Sequence, residues 1–405
     1  MKTVLTNTAG GLSFMETISI VFLILCFILP SMSHSFGHFN TFVLSFFYLC
    51  LSSGVNKRIK IVWLKLCTLA CVVSLLYLLL SNNPEFALNL QNRNWKIFIS
   101  IFSQIFLMIV CGYMFKRVEE HASASQINFF VILSFILLIW VQCLTISELA
   151  LNPDAVKSWK RFDEHHQNNI ATYYMIYAFP MLTVALAGIA KFCNSKTMKI
   201  LIYTYFAFSF FFLFASAYVL SIIATIIGCG YWYASQLKSA GIRIMCFLIL
   251  IMLYFTIPTC LEFLASSTDS VNAAARLREI GNFLSGGGIG YNLGARLEIY
   301  WGTIIDFIQS PLVGNEVLSV HGHSTFLNTF AYLGIFGGLL YCNIYRLLYI
   351  ETSQYMRAYR PIFICVMITL VTVGLTNPIN MSLPLNYITW FLIPLLLTKY
   401  NYSHI

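Results

Sequence analysis

The stretch NFFVILSFILLIWVQCLTISEL, residues 128–149, decides the class of fold. Its one charged residue is Glu148, close to its end. About 20 apolar residues suffice to cross a bilayer, where only a helix satisfies its own backbone groups without water. Working outward, comparable apolar runs fall at about 17–32, 38–53, 61–80, 97–115, 170–190, 199–214, 217–233, 243–264, 324–349, 361–376 and 383–398. With the first, these make twelve, which predicts an all-α, polytopic membrane bundle forming one integral domain over 1–405.

Composition agrees. Of 405 residues, 59% are hydrophobic and 10% are charged, against about 25% charged in an ordinary soluble domain. Mean hydropathy is +0.78. The formal charge of +9 does not point to nucleic acid, because Lys and Arg lie in ones, twos and threes between apolar runs. No basic stripe with interleaved aromatics is present. The 12 cysteines sit mostly inside apolar runs without CxxC or Cys/His spacing, so they read as small buried hydrophobes. The N-terminus does not read as a cleavable signal, since Lys2 is followed by a polar stretch and many apolar runs succeed the first.

Basic residues near span ends set orientation. With the N-terminus inside, Lys2, Lys57, Arg58, Lys60, Lys65, Lys116, Arg117, Lys191, Lys196, Lys199, Lys238, Arg243, Arg346, Arg357, Arg360 and Lys399 fall on the cytoplasmic side, sixteen of 24. Both termini are then expected in the cytoplasm. Two outer segments stand out, a smaller loop at 150–169 and a long hydrophilic one at 265–322. Acidic residues are nearly absent from the middles of the runs, and no internal repeat is visible. Both absences weigh against a transporter.

The long loop holds the residue types that chemistry needs. SVNAAARLREIGNFL reads as a polar helix, SGGGIGYNLG as a flexible link, and RLEIYWGTIIDFIQSPL as an amphipathic helix. In the last of these, Leu297, Tyr300, Trp301, Ile304, Phe307 and Ile308 share one face, with Arg296, Glu298, Gly302 and Asp306 largely opposite. Gln309, Ser310 and Pro311 end it. Such a helix is expected along the membrane boundary, where a guanidinium grips phosphate bidentately. Arg276, Arg278 and Arg296 are equally placed to be solvated, or paired with Glu279 and Glu298. His321 and His323 precede an apolar helix containing Gly334, Gly337 and Gly338, glycines that permit close helix packing. A histidine there suits a general base, and equally a cap. Zinc lacks a third ligand at sensible spacing.

The run ARLEIYWGTIIDFIQSPLVGN followed by HGHSTFLNTFAYLGIFGG resembles the C-terminal signature of the bacterial O-antigen polymerase and ligase superfamily. The resemblance rests on Arg296, Tyr300, Pro311, Gly314, His323, Ser324, Gly334 and Gly337, about 65 residues in detail. It implies a GT-C-like inner-membrane glycosyltransferase with a large periplasmic loop, and lipopolysaccharide or related polysaccharide biosynthesis as its setting. The Ser-Arg pair that ligases and many polymerases carry at a hairpin between middle spans is missing, since Ser216, Ala217 and Tyr218 include no arginine. The Gly322-His323-Ser324 triplet and the tyrosine-rich IATYYMIYAFP, with Tyr173, Tyr174, Tyr177 and Pro180, resemble polymerases instead. Ligase activity stays open, as does a polysaccharide flippase.

As the resemblance implies, a growing glycan passes from undecaprenyl diphosphate to another lipid-linked repeat unit. His323 and Arg296 would be catalytic. Arg276, Arg278, Tyr300, Ser324, Arg161 and His165 would bind substrate, the last two along the acceptor path. No metal or other cofactor is implied. A flippase and a chain-length regulator are the expected neighbours within the membrane lipid.

Overall fold

The computed structural model describes residues 11–35, 37–52, 57–80, 93–152, 167–216, 218–237, 239, 258–267, 271–284, 291–314, 324–356, 359–379 and 382–402. Every regular element among them is helical. In chain order these are α1 (Phe14–Ile28), α2 (Pro30–Ser35), α3 (Gly37–Leu51), α4 (Lys57–Leu80), α5 (Arg93–His121), α6 (Ala124–Leu151), α7 (Tyr173–Ile176) and α8 (Phe179–Phe192). There follow α9 (Lys196–Ala215), α10 (Val219–Gln236), α11 (Val271–Leu284), α12 (Tyr291–Gln309), α13 (Thr325–Ser353), α14 (Arg360–Thr376), α15 (Leu383–Tyr387), a π-helical turn (Ile388–Leu392) and α16 (Ile393–Tyr402). An unnumbered helical run covers 258–266.

Among the described residues, six segments are long and apolar enough to cross a membrane: Ile61–Leu79, Phe98–His121, Ala124–Leu151, Tyr173–Phe192, Lys196–Ala215 and Thr325–Ser353. Phe14–Ile28, Asn40–Leu51, Arg360–Thr376 and Leu383–Lys399 are shorter apolar helices. Of the run expected at 243–264, residues 243–257 lie outside the described part. A helix apolar all round belongs in the middle of a bundle. The span through α8 is 89% buried and that through α5 is 72% buried, whereas α9 is 22% buried. The centre is therefore α5, α8 and the buried segment Ile388–Leu397, with α9 outermost of these spans. Gly228 serves this packing. A Cβ there would lie 2.1 Å from the Thr369 hydroxyl and 2.6 Å from Val184, so glycine lets α10 close on α8 and α14.

The ends of the long helices sort into two chemically different groups. One is charged. Arg117 at the end of α5 holds Glu16 at the start of α1 through Nη2 at 2.9 Å and Nε at 3.1 Å, and neighbouring Lys116 meets Glu351 at 2.9 Å. Glu16 also completes a capping box with Ser13, a local reason for α1 to begin where it does. Gln126, in the box of α6, accepts from the Leu12 amide at 3.0 Å. Lys191 reaches Gln236 at 2.6 Å, which brings the ends of α8 and α10 to the same side.

The other end is held by hydroxyls and amides. Ser31 gives both its N–H and its hydroxyl to the Asn169 carboxamide oxygen. Tyr77 donates to Thr329 at 3.1 Å, and Ser382 donates to the Tyr174 carbonyl at 2.5 Å. Asn169 takes φ +57°, a left-handed conformation that asparagine tolerates better than most residues.

Candidate functional site at the hydroxyl-rich end

The turn after α14 gathers two of the residues singled out in the sequence. Tyr300 donates its hydroxyl to the Thr376 carbonyl at 2.8 Å. Ser324 is buried, caps α13 by accepting from the Leu327 amide at 3.2 Å, and donates to the Gly374 carbonyl at 3.2 Å. Thr325 accepts from the Ile379 amide at 2.7 Å. A helix ends with carbonyls that have no partner inside it. Here side chains of α12 and α13 supply those partners. The one hydroxyl proton of Tyr300 and that of Ser324 are thus committed to the fold.

A second joint lies about three turns further along α13. The 29-residue helix α13 breaks at Gly334, whose φ is +62° and ψ −170°. The Ile335 amide, deprived of its helical acceptor, donates to the Pro311 carbonyl at 2.8 Å. Gly314 on the same turn has φ +82°. A Cβ at Gly334 would sit 2.3 Å from the Leu312 carbonyl oxygen, and one at Gly314 would sit 2.0 Å from that of Tyr332. Backbone meets backbone, which only glycine allows. Gly334 therefore makes a break seated on a turn rather than a helix-packing face. Gly337 and Gly338 clear room for Leu333 and Phe330 of the same helix.

The register of α12 differs from the expected wheel. Thr303 is buried, Tyr300 and Phe307 are half-buried, and Phe307 packs edge-on to Phe330 at 6.1 Å. Leu297, Trp301, Ile305 and Ile308 are exposed instead, continued by Leu312 and Val313. The helix turns Leu297, Trp301 and Ile308 of its apolar stripe outward, keeps Tyr300, Ile304 and Phe307 half-buried, and sets Thr303 against the bundle. Asp306, three residues after Thr303 on the same side, is half-buried. Its Oδ2 is buried with no hydrogen-bond partner among the described residues, and burial pushes its carboxyl above the ordinary carboxylate value.

The remaining candidates are placed less fully. Positions 276 and 296 lie on α11 and α12, but their side chains are outside the described part. Arg161, His165, His321 and His323 lie outside the described residues altogether. Arg278 on α11 pairs with Glu262 at 3.1 Å, both side chains exposed. Among the described residues no group of three His, Cys, Asp or Glu is placed to hold a metal ion.

The tyrosines of IATYYMIYAFP reach the hairpin that the sequence set apart for its missing arginine. Tyr173 and Tyr174 rings lie 3.9 Å apart, Tyr173 and Tyr177 5.9 Å, and Tyr177 meets Tyr218 edge-on at 5.8 Å. The separation of 41 positions between Tyr177 and Tyr218 concealed this contact from a reading of local pattern. No family model matches the sequence, and no curated protein matches it.

Proposed function

We propose that this chain is an inner-membrane glycosyltransferase that polymerises a surface glycan. A growing glycan leaves undecaprenyl diphosphate and joins a second lipid-linked repeat unit at the periplasmic face. The hydroxyl-rich end faces the periplasm in this reading, and the charged end with both termini faces the cytoplasm.

The observation that carries the reading is the joint at 374–377. It draws α12, with position 296 and Tyr300, to the head of α13, where Ser324 follows His323. Residues of the sequence signature more than 20 positions apart thereby meet at one end of the bundle. In the proposed reaction the acceptor hydroxyl gives its proton to His323 and its oxygen bonds to the anomeric carbon. The anomeric carbon–oxygen bond to diphosphate breaks, and the electron pair leaves with undecaprenyl diphosphate. Arg296, with Arg276 and Arg278 nearby in sequence, offsets that charge where little water competes. Tyr300 and Ser324 hold the two helices in place through the hydrogen bonds described above.

Deleting the gene tests this in one gel. A polymerase leaves lipopolysaccharide bearing a single repeat unit, whereas a ligase leaves bare core and accumulated lipid-linked polymer. A flippase traps substrate on the cytoplasmic face. Complementation with His323→Ala, compared with His321→Ala, then tests the base: loss of polymer is expected for the first alone.

A further inference from the structure

We infer that the cluster of Tyr173, Tyr174, Tyr177 and Tyr218 is a binding site for the uncharged sugar rings of the acceptor, apart from the place where diphosphate is held. The inference rests on the polymerase reading and adds to it where one substrate portion lies. Tyrosines are enriched at membrane boundaries, where their rings sit at headgroup level. These four pack ring against ring across α7, the start of α8 and the start of α10. Tyr177 is buried, and the other three are half-buried, so part of each of those three rings is presented at the end of the bundle.

Charge narrows the ligand. The described residues of 167–180, 214–221 and 377–386 include no Asp, Glu, Lys or Arg. Among the described residues there, a phosphate would find no cation and would meet the negative faces of the rings. A pyranose suits the site: its C–H face rests on an aromatic ring, and its hydroxyls find phenols and the exposed amides of Gln167 and Asn168. The connection after α14 spans the two regions. The last carbonyls of α14 hold Tyr300 and Ser324, Ile379 beyond them donates to Thr325, and Ser382 holds the Tyr174 carbonyl. Cationic groups of α11 and α12 thus serve the diphosphate on one side of this connection, and the tyrosines serve sugar on the other.

The test uses full-length protein in lipid nanodiscs and two probes from a strain lacking the gene. One is the oligosaccharide freed from its lipid-linked repeat units by mild acid, and the other is the intact lipid-linked material. Saturation-transfer NMR is expected to show contact of the free oligosaccharide's C–H protons with wild type, weakened about tenfold by Tyr218→Ala or Tyr174→Ala and largely kept by Tyr218→Phe. In chain-growth assays the alanine variants are expected to raise the KM for the lipid-linked unit with little change in kcat. Folded alanine variants with unchanged binding and KM would overturn the site while leaving the polymerase standing. Binding without chain growth would overturn the polymerase and keep the site. Should the alanine variants not fold, nitration of wild type decides. Protection of Tyr173, Tyr174 and Tyr218 by the oligosaccharide supports the site, and protection confined to other tyrosines refutes it.

Discussion

The Tyr300 hydroxyl lies 2.8 Å from the Thr376 carbonyl oxygen, so one phenol ties the boundary helix α12 to the end of a bundle helix 76 residues away. Tyr300→Phe keeps the ring and loses this bond. A loss of about 1 kcal/mol is expected, read as a small fall in melting temperature, with polymer shortened rather than abolished. An unchanged melting temperature and unchanged chain lengths would remove Tyr300 from the joint.

Gly334→Ala places a Cβ against the Leu312 carbonyl in a left-handed conformation. Backbone strain of this sort costs about 1–3 kcal/mol, and the overlap adds to it. Gly230 is the control, because a Cβ there meets nothing within 4 Å. On a helix, Gly230→Ala is expected to gain up to about 1 kcal/mol. Size-exclusion profiles and melting curves of the two variants separate them, and equal behaviour would contradict the break at Gly334.

At the charged end, Lys116→Met leaves the half-buried Glu351 carboxylate without its cation, with the Gln354 amide at 3.3 Å as a remaining donor. The fall in stability is expected to be smaller than the about 3–5 kcal/mol of a fully buried pair broken from one side. Acid acts on the companion pair. Burial alone would raise the Glu16 carboxyl, but the Arg117 guanidinium and the Ser13 hydrogen bonds outweigh it and hold the group below its ordinary value of 4.5. Its stabilisation is therefore present above that value and is lost as pH falls through the lower folded one. Melting temperature followed from pH 6 to pH 3 is expected to fall less steeply for Glu16→Gln than for wild type.

Asp306 has the opposite sign. Its carboxyl is raised by burial, so its contribution favours folding below the ordinary carboxylate value and is lost as pH rises through the folded one. Asp306→Asn is expected to melt above wild type at pH 7, with the gap closing in acid. A lower melting temperature at pH 7 would show a partner for this carboxylate.

Much of the helical plan was legible because apolar runs have one solution in a bilayer. NFFVILSFILLIWVQCLTISEL became α6, extended at its start by the Ser123 and Gln126 capping box. The facing of α12 was not legible. Periodicity reveals a stripe, but lipid and protein core are equally apolar, so the stripe does not say which of them it meets. The break at Gly334 depends on the Pro311 carbonyl and the turn to Gly314, which a row of glycines does not announce. The paired functions of Tyr300 and Ser324 were hidden for the same reason: their acceptors, Thr376 and Gly374, are distant in sequence.

The central claim is chain growth on a lipid carrier, and purified protein given lipid-linked repeat units from the deletion strain measures it directly. The account predicts a ladder of products rising by one repeat-unit mass, with undecaprenyl diphosphate released at each step and no ladder from Arg296→Ala protein that inserts normally. Units that stay single with wild type, or that move only onto lipid A-core when it is supplied, would contradict it.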